Sequence, residues 1–232
     1  MTQSTLFCGY EILSELGRGT TAIVYKARHP VVRPDRLLAL KIPSIGSGPE
    51  ARSRLAWYHN EWNALRVLTL EPDPAIPTLY DVGCDAAWQN DHYVREFVDG
   101  STLEQLVTTG AIGLREGISV LATIAGAVQR MHARCIAHRN LRPSKVLVRG
   151  DGAAKLIGFG YVWPLAGADG LPAGMSGVSA EVDVLAMQRM LAWLCATLRQ
   201  PVPEPLEAPQ QPGAIPSPGR FAEALGSFLQ MR

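Results

Sequence analysis

The chain has little charge imbalance, few cysteines and no long apolar run. Basic and acidic side chains nearly cancel, 22 Lys plus Arg against 21 Asp plus Glu, so no global field draws the protein to nucleic acid or an anionic membrane. Only Cys8, Cys84, Cys135 and Cys195 carry thiols, and none forms a CxxC pair. That excludes a disulfide framework or a zinc knuckle and suits a reducing cytoplasm. The uncharged, mostly apolar stretch Ile118–Val128 falls well short of the roughly 18 residues that span a bilayer. The first residues show no basic region followed by an apolar run, so no secretory signal is expected. There is no internal repeat. A soluble cytoplasmic protein with an ordinary core is expected, since 47% of the residues are hydrophobic.

What is present falls into two parts. Tyr10–Leu16, Thr21–Ala27 and Leu37–Ile42 are short runs of apolar and β-branched residues between turn formers, which predicts three strands. Leu55, Tyr58, Trp62, Leu65 and Leu68 recur at three- and four-residue steps and predict a helix over Pro49–Leu68. Two more strands are expected at Pro77–Gly83 and His92–Phe97. The remainder turns helical over Thr102–Thr108, Arg115–Ala133 and Val182–Arg199. A hairpin of Lys145–Val148 and Lys155–Ile157 surrounds the turn Arg149-Gly150-Asp151-Gly152. Leu165–Ser179, rich in Gly, Ala and Ser, reads as a long loop. Gln200–Gly219 holds seven prolines, which excludes a regular helix there; a short helix over Arg220–Met231 closes the chain. The expectation is a β-rich lobe over residues 1–98 and a mainly helical lobe over residues 99–232, with the Pro-rich segment 200–219 inside the second. Together they form one α+β, bilobal domain of about residues 10–232.

The turn after the first strand reads Leu16-Gly17-Arg18-Gly19-Thr20-Thr21-Ala22-Ile23-Val24-Tyr25. Gly17 and Gly19 take the first two places of a GxGxxGxV pattern, in which glycine lets backbone N–H groups approach a phosphate. A plain β-turn explains the same pair, because Ala22 stands at the third glycine. No helix follows the glycines, which disfavours a dinucleotide-binding βαβ unit. Lys41 lies in the apolar strand Ala39-Leu40-Lys41-Ile42, either solvated or buried. A buried ammonium needs a counter-ion, and Glu61, in the middle of the following helix, is the natural one.

With these residues in place the sequence resembles a protein kinase domain of the bacterial serine/threonine type. The order continues through Glu96-Phe97-Val98-Asp99-Gly100, similar to a hinge. His138-Arg139-Asn140-Leu141-Arg142-Pro143-Ser144-Lys145 is similar to the catalytic loop, and Lys155-Leu156-Ile157-Gly158-Phe159-Gly160 to the segment ending in D-F-G. Val182-Asp183-Val184-Leu185-Ala186 resembles the start of the long central helix. The resemblance implies that Val24, Ala39 and Leu147 sandwich an adenine ring and that the backbone of Glu96 and Val98 bonds its edge. It further implies that Gly17 and Gly19 admit the phosphates, and that Lys41, oriented by Glu61, reaches them. Leu65, Tyr80, His138 and Phe159 match the family's hydrophobic stack. Asp183 matches the buried aspartate that holds the catalytic-loop backbone.

The departures carry as much weight as the matches. Asn140 stands where the catalytic base is an aspartate, Lys145 where an asparagine holds one magnesium ion, and Gly158 where the D-F-G aspartate holds another. An amide is no carboxylate base, and an ammonium repels a divalent cation. No catalytic residue is intact by this reading, no metal site is expected, and magnesium is not an expected cofactor. ATP or ADP is the expected cofactor, held without a metal, with Lys145 supplying counter-charge. The implied function is that of a pseudokinase, a signalling or scaffold module with an unidentified protein partner. The alternative is a weakly active ATP-dependent serine/threonine kinase, or another ATP-using transferase, with displaced metal ligands such as Asp151 or Glu181.

Three features stay open at this level. Arg95 falls at the back of the adenine pocket, where it either captures Glu61 from Lys41 and closes the cleft or extends to solvent. Arg130, Arg134, Arg139, Arg142, Lys145 and Arg149 form a run without acidic residues, either solvated and stapling loops or lining an anion-binding cleft. The Pro-rich stretch is either a polyproline surface or a spacer.

Overall fold

Short apolar strands joined by tight turns give the first part of the chain an antiparallel sheet. A computed structural model describes residues 5–46, 48–83, 91–164, 177–206 and 217–231, and these divide into two compact units.

The first unit takes in residues up to Pro72 and Pro77–Val98. Its strands are β1 (Thr5–Phe7), β2 (Tyr10–Arg18), β3 (Ala22–His29), β4 (Arg33–Pro43), β5 (Leu79–Gly83) and β6 (His92–Glu96). They form one antiparallel sheet in the order β1-β2-β3-β4-β6-β5. Leu38 and Leu40 project from one face of β4 into a core with Tyr10, Ala27 and Val94; Ala39 and Lys41 alternate onto the other face. The helix α1 (Ala51–Thr69) buries Tyr58, Glu61, Ala64, Leu65 and Leu68. The expected apolar stripe is therefore rotated. Leu55 and Trp62 are only half-buried, and Glu61 points inward because a charged partner waits there.

The second unit combines Asp73–Ile76 with Asp99 onward. It contains β7 (Gly100–Thr102), α2 (Leu103–Thr108), α3 (Leu114–Ala133), β8 (Ile136–Ala137), β9 (Val146–Arg149), β10 (Ala154–Leu156), β11 (Trp163–Pro164), α4 (Glu181–Thr197) and α5 (Pro218–Gln230). The expected hairpin is β9–β10, with β7 paired on its other side. The core is helical: Ile118, Leu121, Ile124 and Val128 of α3 are buried, as are Met187, Met190, Leu191 and Leu194 of α4 and Phe221 and Leu225 of α5. At Gly117 a Cβ would stand 2.7 Å from Leu194 Cδ1, so glycine there permits the close approach of α3 and α4.

Local chemistry moves several expected boundaries. Thr102 is a cap rather than a helical residue: its Oγ1 accepts from Gln105 N at 3.1 Å while Gln105 Oε1 accepts from Thr102 N at 2.9 Å. The Pro-rich stretch is not wholly without helix. A single 3₁₀ turn spans Glu204–Leu206. The last helix begins at Pro218, capped by Ser217, because proline at the first helical position gives up no hydrogen bond. Residues 165–176 of the expected long loop, residues 207–216 of the Pro-rich segment, and Cys84 lie outside the described residues. Among those described, no helix is long and apolar enough to cross a membrane.

Candidate functional site

In the first unit the glycine turn joins β2 to β3. Gly19 N donates to Ala22 O at 2.9 Å. A Cβ at Gly17 would meet nothing within 4 Å, and one at Gly19 only Ala22 O at 3.6 Å. Neither glycine has a positive φ. Neither position therefore requires glycine for the protein's own packing or backbone conformation.

Lys41 is partly buried, and its Nζ meets Glu61 Oε2 at 2.5 Å. Tyr58, one helical turn earlier, donates from its hydroxyl to Lys41 O at 2.9 Å, so α1 is tied to β4 at two points. Burial by itself would raise the Glu61 carboxyl. The charge and hydrogen bond of Lys41 oppose that, with Arg95 adding to them, and the pKa is lowered. Burial and the Glu61 charge push the neighbouring Tyr93 phenol well above its ordinary value.

Arg95 takes neither course open to it in the sequence. It is 8% exposed, so it does not reach solvent, and Glu61 stays with Lys41. Its Nη1 donates instead to Glu96 O at 3.1 Å. That carbonyl belongs to the backbone that the resemblance assigns, with Val98, to the adenine edge. Glu96 N donates to Thr78 O at 2.8 Å, and Val98 is buried. Gly17, Gly19, Val24, Ala39, Lys41, Glu61, Glu96 and Val98 thus all belong to the first unit, with Lys41 and Glu61 in direct contact.

The second unit holds Leu147, Asn140, Lys145 and Gly158. The fully buried Asp183 organises this region. Its carboxylate accepts from His138 N at 2.8 Å and Arg139 N at 2.7 Å, and it meets His132 Nε2 at 2.8 Å. Burial raises the Asp183 carboxyl, but the His132 hydrogen bond and the two backbone N–H groups outweigh that and hold its pKa low. His138 packs edge-on against Phe159 with ring centroids 5.1 Å apart, and Asn140 N donates to His138 Nδ1 at 3.2 Å. The role of His132 has no signal in the sequence, since its partner lies 51 positions away.

Gly158 has φ +87°, and a Cβ built on it would stand 2.9 Å from Cδ of Lys145, 3.3 Å from its Cε and 3.6 Å from its Nζ. The lysine side chain thus lies in the space a side chain at position 158 would need. The basic run is partly stapled. Arg130 pairs with Asp73, its Nη2 at 3.0 Å from Oδ1; Arg149 pairs with Asp151 at 3.3 Å; and Arg139 stacks over Trp163 at 5.7 Å.

A family model described as protein kinase domain matches residues 10–169. The chain is 34% identical over 154 residues to a probable serine/threonine-protein kinase PknB of Lactococcus lactis, covering 65% of this chain and 23% of that protein. Against the serine/threonine-protein kinase PknL of Mycobacterium tuberculosis it is 30% identical over 161 residues, 68% of this chain and 38% of the relative. Against PrkC of Bacillus subtilis the figures are 28% over 166 residues, 67% and 23%. The chain therefore spans well under half the length of these relatives.

A kinase fold implies magnesium, and the residues at the corresponding places do not fit it. Position 158 has no side chain, and the space beside it holds an ammonium-bearing chain. Of the alternative ligands, Asp151 is engaged by Arg149 and by Ala153 N, and Glu181 is an exposed residue of the first turn of α4. Among the described residues no three His, Cys, Asp or Glu side chains group as a metal site.

Proposed function

The chain belongs to the protein kinase family, and from that premise we propose that it is a pseudokinase, a cytoplasmic signalling module that acts through a protein partner and holds ATP or ADP without magnesium. The observation that carries this reading is Lys145 lying against Gly158. One family carboxylate is gone, and a cation fills its space. Asn140 adds an amide where proton abstraction needs a carboxylate. A positioned general base contributes roughly 10²–10⁴-fold, and metal stabilisation of a transferring phosphoryl group several kcal/mol more. The losses need not add, yet a kinase lacking both transfers phosphate very slowly.

The residues that the family assigns to the nucleotide keep those roles in this reading: Gly17, Gly19, Val24, Ala39, Lys41, Glu61, Leu147 and the backbone of Glu96 and Val98. Lys145 supplies the counter-charge that a metal supplies elsewhere in the family. Asp183 holds the backbone of His138 and Arg139, and His138 packs on Phe159, so in this reading the loop keeps the family's shape without its catalytic side chains.

Phosphoryl transfer from labelled ATP, with magnesium and with Lys41→Ala as control, tests the reading. No transfer above the control is expected. Transfer at ordinary kinase rates that Lys41→Ala abolishes would overturn it in favour of an active serine/threonine kinase. A thermal-shift titration with ATP in EDTA tests the nucleotide part, and no response there would remove it.

A further inference from the structure

One face of the first unit's sheet gathers three cations around a single contacting carboxylate among the described residues. The cross-strand pairs Val24–Lys41, Lys26–Ala39, Ala39–Arg95 and Lys41–Tyr93 place all six side chains on one face of the sheet, since directly opposed residues share a face. Three of the six are cations. Lys26 is half-buried over the Phe97 ring at 4.9 Å. Arg95 is buried, and the Lys41 side chain is only 12% exposed. Glu61 is the carboxylate that reaches them, and Lys41 already holds it at 2.5 Å. A buried cation and a partly buried one thus have one carboxylate near them, an arrangement that is costly without further compensation.

Arg95 is also under-used as a donor. Its single hydrogen bond among the described residues goes to Glu96 O, while a guanidinium offers five N–H groups in a planar fork suited to phosphate oxygens. By engaging Glu96 O it competes with an adenine amino group for the acceptor that the family resemblance assigns to the base.

We propose that this face binds a metal-free polyphosphate chain, with Arg95 as a second anchoring cation beside Lys41, and that the phosphates rather than the base supply most of the affinity. The proposal rests on the nucleotide-binding reading and specifies which part of the ligand is read. A polyphosphate supplies the missing negative charge and acceptors for the guanidinium. A magnesium-complexed one brings a dication to a face already rich in cations and binds less well. The polyphosphate is either that of a nucleoside triphosphate or inorganic, and the ligand series separates these sources.

The test is isothermal titration of the 232-residue chain with sodium tripolyphosphate, ATP and adenosine, each in EDTA and in excess magnesium. Tripolyphosphate and ATP are expected to bind with affinities within about threefold of each other, adenosine not at all, and magnesium is expected to weaken both. Arg95→Met should weaken both anions by about 10- to 100-fold, the range for charge-assisted hydrogen bonds. Arg95→Lys should fall between. The exposed Arg189→Met on α4 serves as control and should change nothing. Without ligand, Arg95→Met should melt higher than the parent, because an under-compensated buried charge is removed.

Arg95→Met binding ATP more tightly would show that the arginine is a plug and overturn the proposal. ATP binding without tripolyphosphate, or adenosine binding as well as ATP, would overturn it while leaving the nucleotide-binding reading intact. If neither ATP nor tripolyphosphate binds, both fall. The ligand series on the parent chain decides these last outcomes even where a variant does not fold.

Discussion

Replacing Gly158 with alanine probes the contact on which the proposed pseudokinase reading rests. Two costs arise. The backbone sits at φ +87°, where a Cβ costs about 1–2 kcal/mol. The added methyl would also stand 2.9 Å from Lys145 Cδ, a conflict with a flexible chain that swings aside for about 1 kcal/mol. The single variant should therefore lose roughly 2–3 kcal/mol, the sum of these two costs. At roughly 2–4 °C per kcal/mol for a chain of this size, its melting point should fall by about 4–12 °C. In a Lys145→Ala background the steric part vanishes and only the backbone part remains. A double-mutant cycle by calorimetry should return a coupling of about 1 kcal/mol between positions 145 and 158. A Gly158→Ala variant as stable as the parent, or a cost unchanged by removing Lys145, would refute the claim that the lysine occupies this space.

The same contact sets what reversion requires. Asn140→Asp, Lys145→Asn and Gly158→Asp together should produce a magnesium-dependent thermal shift with ATP, whereas each alone should not; robust activity from Asn140→Asp alone would contradict the metal reasoning. The Lys41–Glu61 pair predicts an asymmetry. Removing one partner of a buried pair costs about 3–5 kcal/mol, but Lys41→Met leaves Glu61 with Arg95 nearby, while Glu61→Leu leaves two cations without an anion. Glu61→Leu should be the more damaging in urea denaturation, the double variant should recover part of the loss, and the reverse order would refute the charge count. For Asp183 the folded pKa is lowered, so its stabilisation is present above the ordinary carboxylate value and is lost as pH falls through the folded one. Asp183→Asn should cost about 2–3 kcal/mol at neutral pH through its charged hydrogen bonds. The gap from the parent should narrow below about pH 4, and a gap that does not change with pH would contradict the assignment.

Much of the fold was legible because periodicity reports local burial. The strand runs, the α1 repeat and the β9–β10 turn signal all lie where the structure has elements. β1, β7, β8 and β11 escaped notice because two or three residues carry no periodicity. Thr102 and Pro218 differ from expectation because a helix end is defined by the hydrogen bonds made there, not by composition. In the site, the lost carboxylates at positions 140 and 158 were readable as residue types alone.

The sequence by itself determined the family, the residue types at positions 140, 145 and 158, and the need of a lysine in an apolar strand for an anion. Only the tertiary structure decided which groups meet. It set Glu61 against Lys41, turned Arg95 to a backbone carbonyl, brought His132 to Asp183 and laid Lys145 across Gly158. The physical reason is that a buried charge or an empty space states a requirement that several side chains can meet. Which of them meets it depends on distances of 2.5–3.5 Å, the range of hydrogen bonds and close packing, and those arise only after strands and helices from distant parts of the chain have packed.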